Sequence, residues 1–410
     1  MSRTTPYLAA ALLIVTSMPL VAQVTPPPSP IPPTLEDTSY VIYDEGPISL
    51  PLGIGFRLPA YNRVDGLVLP WGPAISLAGG RVRIDPTVTY RSHIGKVDPF
   101  ATMQFDLTPR TLLEIAGGRN TFTNDGWIRS DLVNSAAAFG VGSDARNYFR
   151  ADRGWVTLSQ TITRPGWVIT PSVGALTEND WSTGFPGRHT STPWSFFGRT
   201  DSLKMRRLNP TIAEGHISSG LGRVKADYER EDVKLTLDAA VEHAFDAPPT
   251  VRLVGNAVIA KNESGDFTQI TVGSKASFMT FGSQRFDFRG HAVITPGDIA
   301  PAQRFAYLGG AGTLATVDLM ALGGDRLLYV EGEYSIPIES IVLPFVGNPI
   351  VSLRYAAGAA GEGELPDFIQ NLGLGLGVRF LKAEYHVDPN YKKTTFSRKS
   401  AFSIGISLSL

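Results

Sequence analysis

Apolar and polar residues alternate with period two along much of the chain. Phe402, Ile404, Ile406, Leu408 and Leu410 are apolar, and Ala401, Ser403, Gly405, Ser407 and Ser409 between them are small or polar. Residues 371–380 repeat the scheme, with Leu372, Leu374, Leu376, Val378 and Phe380 set against Asn371, Gly373, Gly375, Gly377 and Arg379. Residues 233–242 do the same, and weaker alternation runs through 81–91, 98–107, 110–121, 149–161, 267–279, 284–294 and 327–337. Successive side chains of a strand point to opposite faces, so each run predicts a strand with one apolar and one small or polar face. Candidate strands begin near 62, 81, 98, 110, 149, 166, 213, 232, 250, 267, 283, 327, 348, 370, 381 and 400. That is about sixteen, each near the roughly 9–11 residues of a tilted membrane-crossing strand.

The connections sort by length. Thr108-Pro109, Arg164-Pro165, Glu231-Asp232 and Gly282-Ser283 are tight, whereas 122–148, 178–212 and 295–326 are long. Short turns at one end and long loops at the other, with an even strand count, describe a transmembrane barrel. The pattern therefore predicts an all-β fold: a transmembrane antiparallel β-barrel over 46–410. Its closing strand, Phe402 to Leu410, is expected to pair with an opening strand at 62–71, because lipid tolerates no open sheet edge. Trp127, Trp155, Trp167, Trp181 and Trp194 fall near strand ends or in long loops, as an interfacial aromatic girdle requires.

The N-terminus changes where such a chain works. Arg3 precedes an apolar run from Tyr7 to Val21, and Ala22 ends it. A charged start, a short apolar core and a small residue at the cut make 1–22 a secretory signal peptide. Residues 23–45 carry Pro26, Pro27, Pro28, Pro30, Pro32 and Pro33 and read as a semi-rigid linker. With 43% hydrophobic and 18% charged residues, composition alone does not separate a soluble β protein from a barrel. A net charge of -1 gives no electrostatic footprint for nucleic acid, and the absence of Cys removes disulfide and thiol chemistry.

Candidate chemistry is sparse. His93, His189, His216, His243, His291 and His386 are scattered without metal-ligand spacing, and no Gly-x-Ser-x-Gly occurs. Asp144, Asp180 and Asp201 read as solvated loop charges, and Lys204, Arg206 and Arg207 as a solvated basic loop face. No catalytic, cofactor or metal site is expected. Glycines inside strands, such as Gly273, Gly290, Gly332, Gly373, Gly375 and Gly377, read first as sites of wall curvature and second as space for a loop or substrate inside the lumen.

Residues 303–336 carry a more specific signal. Gln303-Arg304-Phe305-Ala306-Tyr307-Leu308-Gly309-Gly310-Ala311-Gly312-Thr313-Leu314 precedes Gly323-Gly324-Asp325-Arg326-Leu327-Leu328-Tyr329-Val330-Glu331-Gly332-Glu333-Tyr334. This block resembles that of the bacterial surface antigen superfamily, which includes outer-membrane assembly factors and two-partner secretion transporters. Tyr61 to Leu67 is similar to the opening strand of members without periplasmic POTRA domains, and Asn371 to Val387 to the penultimate hairpin. The resemblance implies a sixteen-stranded outer-membrane barrel. It also makes Gly309, Gly310, Gly312, Leu314, Gly324 and Asp325 the motif of a long loop between strands eleven and twelve.

Two positions depart from the family. Leu314-Ala315-Thr316-Val317 stands where the family has an Arg-containing tetrapeptide, and Ala356 stands where its next strand has an acid. The two groups meet inside the barrel in the family, so their joint loss avoids an unpaired charge and implies a missing loop lock. Glu331 and Glu333 share one face of their strand and are lumen-facing candidates to meet Arg354 or Arg379. The short, Pro-rich N-terminal segment implies that a substrate-receiving part is missing or belongs to another chain. The expected function is insertion or translocation of proteins across the outer membrane, with the lipid bilayer, a periplasmic protein and an exported protein as partners. A passive solute pore and a closed structural or surface barrel are the alternatives.

Overall fold

A computed structural model describes residues 47–183, 209, 211–254, 257–262, 265–297, 299–344, 347–378 and 381–406. The anticipated signal peptide and linker lie outside these residues, as do Trp194, Asp201, Lys204, Arg206, Arg207, Arg379, Leu408 and Leu410.

One antiparallel sheet of nineteen strands forms the wall. Three of them continue a neighbour across a break, which leaves sixteen staves. β1 comprises Ile48–Ser49 and Ala60–Asn62, and β2 comprises Gly66–Trp71 and Ala74–Leu77. Then follow β3 (Val82–Arg91), β4 (Lys96–Thr108), β5 (Thr111–Phe122), helix α1 (Asp131–Val141), and β6 (Phe149–Gln160, continued by Ile162–Arg164). Next come β7 (Trp167–Ser182), β8 (Gly215–Arg230), β9 (Val233–Asp246), β10 (Phe267–Met279) and β11 (Arg285–Ile294). The wall ends with β12 (Arg326–Pro337), β13 (Ile350–Gly361), β14 (Ile369–Val378), β15 (Leu381–Val387) and β16 (Ser400–Ile406). Each stave pairs with the next in sequence, so the topology is up-and-down.

The alternation becomes two surfaces. Leu353, Leu374, Tyr385 and Phe402 lie in one row across β13 to β16, and all four are exposed. The adjacent row, Arg354, Gly373, His386 and Ala401, faces the lumen, where Arg354 and His386 are buried. An outer belt of exposed Leu, Val, Ile and aromatic residues around a polar interior is the inverse of a soluble protein and suits hydrocarbon. This is a transmembrane barrel, and barrels of this construction belong to outer membranes. Gly373 and Gly375 sit where the space inside the wall is tight: a Cβ on Gly373 would stand 2.5 Å from His386 Nδ1, and one on Gly375 2.4 Å from Ser352 Oγ.

The even strand number holds through two corrections that offset one another. The candidate near 250 is not in the wall; Thr250–Val254 and Ala257–Asn262 form a separate hairpin in the loop between β9 and β10. The true first stave, β1, went unrecognised because a 3-10 turn at Pro51–Gly53 interrupts it. The expected opening strand at 62–71 is mostly β2, which pairs with β1 on one side and β3 on the other. It therefore does not meet the closing strand, and no ladder joins β1 to β16 among the described residues.

Candidate functional site

The segment 295–325 turns into the lumen rather than away from it. Its stem is a two-stranded ribbon, Ala306–Leu308 paired with Leu322–Gly324. Beyond the stem, Leu314 and Val317 join Leu308 against Val293, Leu327, Tyr329, Ala356 and Ala360 of β11 to β13. The tip thus carries a small apolar core into a polar lumen and plugs it. The motif glycines serve this shape. Gly309, Gly310 and Gly312 have φ of +122, +84 and +113, and a Cβ on Gly309 would stand 2.1 Å from Asp318 O. Gly324 lets the stem touch β13, where an added Cβ would stand 2.0 Å from Gly361 O. Asp325 is fully buried and accepts backbone N–H groups of Ala300 at 3.2 Å and Gly363 at 2.8 Å. Burial raises its pKa against those two hydrogen bonds.

A lock is present, with its polarity reversed. The wall supplies the cations and the plug supplies carbonyls. Arg289 donates to Gly312 O at 2.5 Å, and Arg354 donates to Thr313 O at 3.1 Å. Glu331 stands between the two guanidinium groups, 2.8 Å from Arg289 and 2.5 Å from Arg354, and accepts from the Tyr329 hydroxyl. Ala356, where the resemblance implies an acid, makes apolar contact with the plug, while neighbouring wall residues hold the loop. Asn371 adds two bonds to Thr316, accepting from its N–H at 3.0 Å and donating to its hydroxyl at 2.7 Å. The expected meeting of Glu331 with Arg354 occurs. Glu333 instead pairs with Lys382 at 2.5 Å.

A second segment, 123–148, supports the plug and reaches the wall's first edge. Asp125 accepts from the backbone N–H of Asn147 at 2.9 Å and of Tyr307 at 3.1 Å, tying the two loops together. Burial pushes its pKa up to about 7, against those bonds and the nearby Arg63 and Arg146 charges. Burial likewise raises the Tyr307 and Tyr148 phenols. Ser130 caps α1, its hydroxyl accepting from Val133 N–H, and Gly142 at φ 72 ends it. Asp144 is buried, not solvated: it accepts from the Arg63 N–H at 2.9 Å, from Asn134 and from Tyr148. Ser135 of α1 accepts from the Tyr61 N–H of β1 at 2.7 Å, and Phe139 stands edge-on to the Tyr61 ring at 5.6 Å. The backbone of α1 approaches both β1 and β16. Neither Asp144 nor Ser135 carried a periodic or motif signal.

Beneath the plug and α1 lies a cavity of about 1160 Å³, lined by α1, by Lys275, Arg289, Glu331, Arg354 and Lys382, and by Ser403, Ile404 and Gly405 of β16. A further 700 Å³ lies beside the plug along β8 to β11. Asp180, expected as a solvated loop charge, is buried on β7 beside Glu178, which pairs with Arg153 and Arg304. Of the expected girdle, Trp127 stacks on His291 in the lumen at 4.2 Å and Trp155 bonds Glu114, so both face inward. Phe402 and Ile404 of the closing strand face outward and are exposed, and Ile406 is its last described residue. Among the described residues no group of His, Asp or Glu is arranged to hold a metal ion.

No family model matches the sequence, and no curated protein matches it. Solved structures do. BamA from Haemophilus ducreyi lacking POTRA domains 1-3 aligns over 85% of this chain and 69% of its own, with a TM-score of 0.50 and 10% identity. This barrel has the BamA fold. CdiB from Escherichia coli aligns over 84% of this chain and 60% of its own, with a TM-score of 0.47 and 10% identity. CdiB from Acinetobacter baumannii aligns over 85% and 58%, with a TM-score of 0.46 and 13% identity. This chain thus spans about 60% of the length of the CdiB structures. The fold implied by residues 303–334 is the fold found.

Proposed function

We propose that this chain inserts proteins into, or translocates them across, the outer membrane, together with a periplasmic partner that receives the cargo. The reading takes 1–22 as an export signal and 23–45 as a spacer. One observation carries it: the axis is filled while the seam is held by a helix. The 295–325 plug packs an apolar core into the lumen, and the β1 edge donates Tyr61 N–H to a helix side chain. An edge strand held by a removable element offers a template for another strand in a way that a sealed wall does not. A filled lumen argues against a passive solute pore.

Depletion of the chain followed by quantitative profiling of outer-membrane and secreted proteins tests this. Selective loss of other barrels, or of one exported protein, supports the proposal and names the cargo. An unchanged profile with altered permeability to small solutes refutes it in favour of a pore.

A further inference from the structure

Three cations crowd the inner end of the 1160 Å³ cavity, and only Arg289 among them has a carboxylate partner. Arg129 enters from the 123–148 segment and donates to Ser143 O at 3.2 Å and to Ala311 O of the plug. Arg289 grips the next plug residue at Gly312 O, and a Cβ on Gly312 would stand 3.2 Å from Arg129 Nε. Lys275 of β10 stands directly opposite Arg289 in the ladder and lines both lumen cavities. Like charges facing one another across a ladder repel. Among the described residues Arg129 and Lys275 make no ion pair. Burial pushes the Arg129 pKa down, against Asp144, and the Arg289 and Arg354 charges push it further.

Charge at this end does not balance. Arg129, Lys275, Arg289, Arg354 and Lys382 face Glu331, Glu333 and Glu384, an excess of two cations. All three carboxylates are engaged by Arg289, Arg354 and Lys382. In the row of Lys275, Asp227 lies two strands away beyond Thr236 and holds Lys225 at 3.0 Å. At the cavity mouth Arg285 and Lys234 are paired with Asp287 and Glu229. Glu231 and Asp232 of the turn lie about 13 Å or more along β9 from Thr236, beyond a screening length of about 8–10 Å.

We propose that the inner end of this cavity binds a phosphate group, held between Lys275, Arg129 and Arg289 beneath the plug. A phosphate group carries about −1.5 to −2 charges at pH 7 and several acceptor oxygens, so it cancels an excess that a carboxylate would half cancel. Guanidinium and ammonium groups both bind phosphate through short, charge-assisted hydrogen bonds. The cavity runs to the tight turn at Glu231 and Asp232, which gives a dissolved ion a way in. The site stands whether or not the chain handles proteins.

The test uses the full chain in a maltoside detergent, which brings no phosphate of its own. Equilibrium dialysis follows radiolabelled inorganic phosphate at an ionic strength fixed with sodium chloride. The parent should show one saturable site per chain. Lys275→Gln should weaken it about tenfold or more, as loss of one hydrogen bond to a charged group implies, and Lys275→Arg should keep it. Lys225→Gln, whose lysine pairs with Asp227 on β8, should bind like the parent. Heat-dependent gel migration checks that each variant is folded. Glycerol 3-phosphate, standing for a lipid headgroup, is titrated in parallel. Tighter binding of inorganic phosphate assigns the site to the dissolved ion, and tighter binding of the ester assigns it to a headgroup. Uptake by the parent that does not saturate overturns the site whatever the variants do. So does equal binding by the parent and a folded Lys275→Gln.

Discussion

Replacing Glu331 by Gln should open the plug. The carboxylate stands 2.8 Å from Arg289 and 2.5 Å from Arg354, and both guanidinium groups point at plug carbonyls. Without it, Arg289 has no carboxylate partner among the described residues, and Arg354 keeps only Glu384 at 3.6 Å. Breaking a buried pair by removing one partner costs about 3–5 kcal/mol. Residual pairing and water in the lumen cavity place the expected cost near the lower end, about 3 kcal/mol. Release of the tip hydrates both cations, so that energy appears as a roughly hundredfold shift towards an undocked 310–317. Leu314→Cys, buried in the parent, is the reporter, and a maleimide is the probe. Labelling should accelerate when Glu331→Gln is added, and planar-bilayer conductance should rise. A Glu331→Gln/Arg354→Met combination should label more slowly than Glu331→Gln alone, because it removes one orphaned charge. Equal labelling in both backgrounds, with unchanged conductance, would refute the reasoning that the reversed lock holds the plug.

Gly324→Ala should lower the unfolding midpoint or prevent assembly, since its Cβ would stand 2.0 Å from Gly361 O; heat-dependent gel migration reads the loss. Asp125 is buried with a pKa pushed up to about 7, above its value of about 4 unfolded. Its contribution to stability is therefore fully present below about pH 4 and is lost as pH rises to about 7, by at most about 4 kcal/mol. Thermal unfolding at pH 5 and pH 8 should differ less in Asp125→Asn than in the parent. Leu374→Lys, on the exposed outer row, should cost about 2–4 kcal/mol of folding in lipid. Thr271→Lys, lining the lumen, should leave the midpoint near that of the parent, and urea titration in bilayers compares the two.

Most of the wall was legible because lipid and lumen enforce a strict period of two, as in Leu372, Leu374 and Leu376 against Asn371, Gly373 and Gly375. The same signal runs through Ile48, Leu50, Leu52, Ile54, Phe56 and Leu58, but proline and glycine among them disguised the first stave. The 250–262 hairpin shows the reverse: alternation marks a strand without saying whether it joins the wall. The plug was legible as a glycine motif. Its lock was only half legible, because Arg289 is separated from its plug partner in sequence and no periodicity marks a carbonyl acceptor. Asp144 and Asp180 were misread as solvated because charge alone does not reveal that Arg63 lies beside the one and Glu178 beside the other. The seam contact between Ser135 and Tyr61 joins distant segments through a single hydroxyl and left no pattern to find.

The reversed lock separates what the plug must be from what it must say. Arg289 and Arg354 read the plug through the carbonyls of Gly312 and Thr313, which every amino acid provides. Side-chain identity at the tip matters at the glycines, at Leu314 and Val317 in their pocket, at Thr313, which caps the turn at Gly309, and at Thr316 against Asn371. The information that fixes the loop is stored in the wall, in residues that also have to fold the barrel. A population of such chains should hold its wall arginines and glutamate steady while tip positions outside those contacts diversify. Change at the remaining tip positions would leave the closure inside intact.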